Sequence, residues 1–255
     1  MKKFKQKTNY YQSYSDEFVK SKNQNIKLKE NFKWIHTNFF YNVFSNIIYF
    51  IFMIFGLIYC KLILRVKFVN KDIIKSDKGF YIFANHTQMI GDAFIPALTI
   101  YPKKTKVIVN PANLGIPILG NFLPMLGALP IPDDIHKKME LFDAMKYYIS
   151  KKQCVVVYPE GHLWPWCTEI RPFEKTAFRF PVSANVPSFC LTTTYQKSKY
   201  FKKPKITVYC DGPFYCDNTL TEKENARKLQ EQIYNKMLER SKNNNFEYIK
   251  YQKKD

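Results

Sequence analysis

Phe80-Tyr81-Ile82-Phe83-Ala84 runs straight into Asn85-His86-Thr87-Gln88-Met89-Ile90-Gly91-Asp92, and Cys154-Val155-Val156-Val157 runs into Tyr158-Pro159-Glu160-Gly161-His162. Short unbroken apolar runs that stop at turn residues are the pattern of strands buried on both faces. Between them, Asp133 or Asp134 is placed to cap a segment in which Ile135, Met139, Phe142, Met145 and Ile149 hold helical spacing. A further helix is expected over residues 93–100. Thr221-x-x-Glu224 opens another, with Leu229, Ile233 and Met237 on one face. Residues 106–109, 187–194 and 206–209 read as more strands. Strands that alternate with helices imply an α/β fold with a mixed, largely parallel sheet flanked by helices. Both polar loops leave the C-terminal ends of their strands, where open α/β sheets place ligands.

The first loop carries a histidine and an acid. A hydroxyl is a poor nucleophile at neutral pH, and histidine is the side chain best suited to take its proton there. A carboxylate on the other ring nitrogen fixes the tautomer and the ring's orientation. His86 and Asp92 are therefore the candidate catalytic pair. No serine or cysteine nucleophile is needed if the acceptor hydroxyl attacks directly. The same residues also have a plain structural use, with His86 closing a strand and Asp92 capping a helix.

Four blocks in order resemble the glycerophospholipid acyltransferases, the family that includes lysophosphatidic acid acyltransferase. They are Asn85-His86 with Asp92, then Gly127-Ala128-Leu129-Pro130, then Tyr158-Pro159-Glu160-Gly161, then Asn185-Val186-Pro187 leading into a strand. Pro172-Phe173-Glu174-Lys175-Thr176-Ala177-Phe178 looks like a further family segment. The resemblance implies acyl transfer from acyl-CoA or acyl-acyl carrier protein to a hydroxyl of a lysophospholipid-type acceptor such as lysophosphatidic acid. His86 would be the base and Asp92 its partner. Asn85, Glu160 and Gly161 would line the acceptor site, with Glu160 on polar groups of the acceptor. The thioester is a co-substrate, and neither a further cofactor nor a metal is expected.

Three departures stand against the family pattern. Five residues separate His86 from Asp92 where the family has four. Gly91 is expected to absorb the extra residue through backbone shapes closed to other residues. The arginine that closes the second block is replaced by Ile131-Pro132-Asp133-Asp134, and the family's Glu-Gly-Thr-Arg is Glu160-Gly161-His162-Leu163. Those two arginines are the family's usual grips on the acceptor phosphate. Arg171 and Lys175, with Arg179 close by, are the cations in position to substitute. An amine or a phosphate-free alcohol as acceptor stays open, as does a catalytically inactive lipid-binding protein.

The chain has 255 residues and a formal net charge of +19. A charge of that size favours anionic partners such as lipid headgroups or acyl carrier protein. Part of the lysine excess accompanies a general wealth of Asn, Ile, Tyr and Phe. No RNA-recognition, helix-turn-helix or zinc pattern supports a nucleic-acid partner. The six cysteines form no Cys-x-x-Cys pair, and the natural reading is reduced, cytosol-facing thiols.

From Phe39 to Cys60 there are 22 residues without a charge, enough for a helix of about 33 Å. Spanning the membrane, lying in its interface and being buried in the core are the three readings; the resemblance favours membrane association, with the active site facing the cytoplasm. The expected organisation is a polar N-terminal segment (1–38), a membrane-associating helix (39–66), an acyltransferase domain (67–245) and a polar tail (246–255). Residues 1–32 hold little aliphatic surface and are expected to be mobile or weakly helical, and residues 241–255 frayed.

Overall fold

The computed structural model describes residues 6–19 and 26–254. Strand β1 (Lys7–Tyr11) comes first. Helix α1 (Phe39–Ile58) starts at Asn38, whose side chain accepts the Tyr41 amide at 3.0 Å, and continues as a π-helical turn over Tyr59–Ile63. Then follow β2 (Val66–Val69), β3 (Phe80–Ala84), α2 (Gly91–Ile100), β4 (Thr105–Val109), the single turn α3 (Leu119–Phe122) and β5 (Ala128–Pro130). Helix α4 (Ile135–Ser150) is capped by Asp134, which accepts the amides of His136 and Lys137. The chain goes on through β6 (Cys154–Val157), α5 (Arg179–Ala184), β7 (Ser188–Gln196) and β8 (Lys205–Phe214). Helix α6 (Glu222–Ser241) opens on the Thr221/Glu224 capping box, and β9 (Ile249–Lys253) is last.

Seven strands form one sheet in the order β2-β8-β7-β3-β6-β4-β5. All neighbours are parallel except the β7/β8 hairpin. The sheet is therefore mixed and largely parallel, as its sequence pattern implies. Strands β3 and β6 lie side by side at its centre, buried along their whole length. Alternation sends Tyr81, Phe83, Val155 and Val157 to a core shared with α4, α5 and α6. Phe80, Ile82, Ala84 and Val156 face a second core under α1 and α2. Helices cover both faces, which is why the central strands read as continuous apolar runs.

Helix α1 buries only one stripe, Ser45, Tyr49, Met53 and Gly56, with Cys60 continuing it into the π turn. A methyl group on Gly56 would overlap the Phe94 ring, so this glycine sets how closely α1 and α2 approach. Most of the remaining surface is apolar and open, including Phe40, Phe44, Ile47, Ile51, Phe55 and, in the π turn, Leu62, with Asn42 and Asn46 exposed near the helix start. The stretch Phe39–Ile63 contains an 18-residue window with a mean hydropathy of 2.2 and is long and apolar enough to cross a membrane. A buried core helix is excluded for this face, because a helix enclosed by protein would not leave it exposed.

Two expectations about the chain ends are corrected. Strand β1 pairs in parallel with β9, from Lys7 opposite Ile249 to Tyr11 opposite Lys253, as a separate two-stranded sheet. Neither end is short of apolar surface in this arrangement. Tyr11, Phe18 and Tyr251 pack with Trp164 and Cys167, so aromatic rings replace the missing aliphatic side chains. Residues 1–5 and 20–25, part of the segment expected to be mobile, lie outside the described residues.

Candidate active site

The site forms where β3 and β6 end. Asn85 caps β3 by bonding its neighbour β7, with Nδ2 donating to the Thr193 carbonyl at 3.0 Å and Oδ1 accepting the Thr193 amide at 2.8 Å. The side chain expected to meet substrate is thus buried, with both its amide nitrogen and its oxygen bonded to Thr193 at the strand end. His86 follows, with its side chain 24% exposed.

Asp92 lies in the first turn of α2, and its Oδ2 stands 2.7 Å from His86 Nδ1. The same oxygen accepts the Gln88 amide at 3.0 Å. The carboxylate is 7% exposed and held from two sides. With Nδ1–H donating to Asp92, the lone pair of the His86 ring sits on Nε2, the nitrogen free for a proton from outside. Gly91 does not absorb the additional residue through an unusual backbone, for its φ lies outside the left-handed range. It does so by closeness: a Cβ would stand 2.9 Å from Gln88 Cβ and 3.0 Å from Leu64 Cδ1.

Tyr158 was not among the sequence candidates. Its ring stacks on the His86 imidazole at 4.4 Å, and its hydroxyl donates to the Asp92 carbonyl at 2.5 Å. Burial, followed by the nearby Asp92 charge, pushes its pKa well above the usual phenol range, so it stays a neutral donor. A tyrosine just before Pro-Glu-Gly is the only sequence signal for it.

Glu160 and Arg171 take places other than those expected. Glu160 Oε2 accepts the His86 amide at 3.0 Å and the Arg171 guanidinium at 2.5 Å, while Oε1 accepts the Arg171 amide at 3.1 Å. Arg171 also donates to the carbonyls of His86 at 3.2 Å and His162 at 2.5 Å. The two side chains are 0% and 1% exposed. A guanidinium enclosed in this way offers no face to an acceptor phosphate, and the enclosed carboxylate offers none to acceptor hydroxyls. Together they pin the backbone of His86 to the second loop.

Gly161 adopts φ +76°, a conformation that favours glycine, and a Cβ there would meet nothing within 4 Å. It keeps open space beside the loop. Lys175 stands exposed at the head of a 3-10 turn (Lys175–Phe178) and makes no hydrogen bond or ion pair with His86, Asp92 or Glu160. The structure therefore brings together His86, Asp92, Glu160 and Arg171, and leaves Lys175 apart. The apolar segment 113–126 breaks into short turns with Ile118 exposed and Leu126 buried.

A family model described as Acyltransferase matches residues 65–193, which include all of these site residues. The fold is similar to that in the crystal structure of the 1-acyl-sn-glycerophosphate (LPA) acyltransferase PlsC from Thermotoga maritima, with a TM-score of 0.51. The two are 17% identical, and the likeness covers 80% of this chain and 94% of that one. No curated protein matches by sequence.

Proposed function

The chain belongs to the acyltransferase family, and from that premise we propose that it esterifies a lysophospholipid-type acceptor with a fatty acyl group taken from acyl-CoA or acyl-acyl carrier protein. The observation that carries the reading is the 2.7 Å contact between His86 Nδ1 and Asp92 Oδ2. His86 Nε2 takes the proton of the acceptor hydroxyl as its oxygen attacks the thioester carbonyl. Asp92 holds the imidazolium that forms. Collapse of the tetrahedral intermediate breaks the carbon–sulfur bond, and the proton on Nε2 passes to the departing thiolate. The products are an ester and a free thiol. Base catalysis of this type supplies about 10²–10⁴-fold in rate.

Glu160 acts in this scheme by anchoring the backbone of His86, and Gly161 keeps room for the acceptor beside it. Membrane lipids are the proposed source of the acceptor. The open apolar face of α1 supports attachment to a bilayer, with the site turned to the cytoplasm, where the six free thiols would remain reduced.

One observation favours a second reading of the acceptor. With Arg171 enclosed by Glu160, the cations remaining on the segment 171–179 are exposed Lys175 and Arg179. A phosphate monoester needs charged donors to replace its hydration, so an acceptor without a terminal phosphate fits the site as well. The test is release of free thiol from acyl-CoA by the full-length protein in detergent, with lysophosphatidic acid, its dephosphorylated counterpart and an amine analogue as acceptors. Acceptor-dependent thiol release supports the reading. Release that no acceptor stimulates rejects it.

A further inference from the structure

The two chain ends meet on the loop that holds His86. The β1/β9 sheet and the segment after β1 surround Trp164, which is fully buried. Tyr11 and Tyr251 lie 4.8 and 4.9 Å from its ring, Phe18 meets it edge-on at 5.0 Å, and Tyr14 stacks at 6.0 Å. Its Nε1 donates to the Asp16 carbonyl at 2.9 Å, and the Tyr251 hydroxyl donates to the Pro165 carbonyl at 2.8 Å. From the other end of the chain, Asn244 Nδ2 donates to the Thr168 carbonyl at 3.0 Å.

Trp164 reaches the site by two routes. Its backbone amide donates to the His86 carbonyl at 3.1 Å, and the Trp166 amide donates to Thr87 at 2.8 Å. Its ring carries the Arg171 guanidinium at 4.8 Å, and Arg171 in turn holds Glu160 and the His86 carbonyl. A guanidinium over an indole face is the favoured cation–π arrangement.

We propose that the sheet formed by the two chain ends positions the catalytic histidine, with Trp164 and Tyr251 as positioning residues that act through Arg171, Glu160 and the His86 backbone. Neither touches the reacting atoms. Three observations converge. The terminal sheet is separate from the seven-stranded sheet and is not needed to complete it. Tyr11 from one strand and Tyr251 from the other both pack on Trp164. Both routes from Trp164 end on the backbone of the residue that carries the base. The kinetic part of this proposal rests on His86 being that base; the structural part does not.

The experiment compares wild type, Trp164→Leu, Trp164→Phe and Tyr251→Phe as full-length chains in detergent, by amide hydrogen exchange and by steady-state kinetics. In Trp164→Leu the amides of residues 86–88 should exchange about tenfold faster or more, while those of α6 stay unchanged, the mark of a local opening. The kcat should fall about 10–100-fold, with KM for the acyl donor changed less than about threefold, because a misplaced base slows the chemical step without removing donor contacts. Trp164→Phe keeps an aromatic face under Arg171 and should recover most of both effects. Tyr251→Phe, which removes one hydroxyl, should give a smaller change of the same kind and serves as the test should Trp164→Leu not fold. Unchanged exchange at residues 86–88 in folded Trp164→Leu or Tyr251→Phe overturns the coupling. Faster exchange with unaltered kcat overturns positioning. A wild type that transfers to no acceptor rejects the function proposed above, and the exchange comparison alone then decides the coupling.

Discussion

Glu160 and Arg171 form an ion pair that solvent does not reach: the guanidinium stands 2.5 Å from the carboxylate, with the side chains 0% and 1% exposed. Such a pair is costly to break from one side, because the remaining charge is left buried and unmatched. Glu160→Gln should destabilise the protein by about 3–5 kcal/mol, lowering Tm by roughly 10 °C for a chain of this size. The double variant Glu160→Gln/Arg171→Met should lose less than the two single variants added together. Thermal unfolding followed by circular dichroism checks both; additive losses would remove the pair from the account.

Tyr158→Phe keeps the ring stacked on His86 and deletes the hydroxyl that donates to the Asp92 carbonyl at 2.5 Å. A stability loss of about 1 kcal/mol follows from one hydrogen bond. The kcat should fall only a few-fold, about the effect of a slightly loosened first turn of α2. A Tyr158→Phe loss as large as that of His86→Ala would mean that the phenol itself takes part in the chemistry.

Gly91→Ala tests how the extra residue between His86 and Asp92 is accommodated. The added methyl meets Gln88 Cβ at 2.9 Å and Leu64 Cδ1 at 3.0 Å. Overpacking of this kind costs about 1–3 kcal/mol, and the Asp92 carboxylate should be pushed off the imidazole. Activity reduced about tenfold with a lowered Tm is the expected result. Wild-type kinetics would show that the turn tolerates the crowding.

Lys106 gives a pH dependence. Burial, with the charge of Lys104 beside it, lowers its pKa from 10.5 to about 8, while its ammonium sits 4.0 Å above the Tyr148 ring. A lysine whose folded pKa lies below its unfolded value favours folding less when charged. Its cost is fully present below about pH 8 and fades as pH rises toward 10.5. Lys106→Met should therefore be more stable than wild type at pH 7, with the difference shrinking between pH 8 and 10. A difference independent of pH would place the effect in packing instead of charge.

The central strands and the dyad were legible because their signals are local. Phe80–Ala84 and Cys154–Val157 are unbroken apolar runs, and His86 and Asp92 share one loop. The partners of Glu160 were not legible. Arg171 lies eleven residues on, and nothing in its spacing distinguishes a buried ion pair from a phosphate grip. The terminal sheet was hidden for a related reason. Tyr11, Trp164 and Tyr251 gain their meaning only from one another, and a count of aliphatic residues at each end misses what three distant aromatic rings can bury. The start of α2 at Gly91, ahead of the expected Ala93, places Asp92 inside the helix and fixes its direction.

The most direct measurement is acyl-donor thiol release by His86→Ala against wild type, with each protein's fold verified by circular dichroism. Asp92→Asn is the companion, since it keeps the shape of the 2.7 Å contact and removes its charge. Folded His86→Ala should lose acceptor-dependent release by about 10³-fold or more, and Asp92→Asn should fall by a comparable factor. Near-wild-type release by folded His86→Ala would contradict the assignment of His86 as the base.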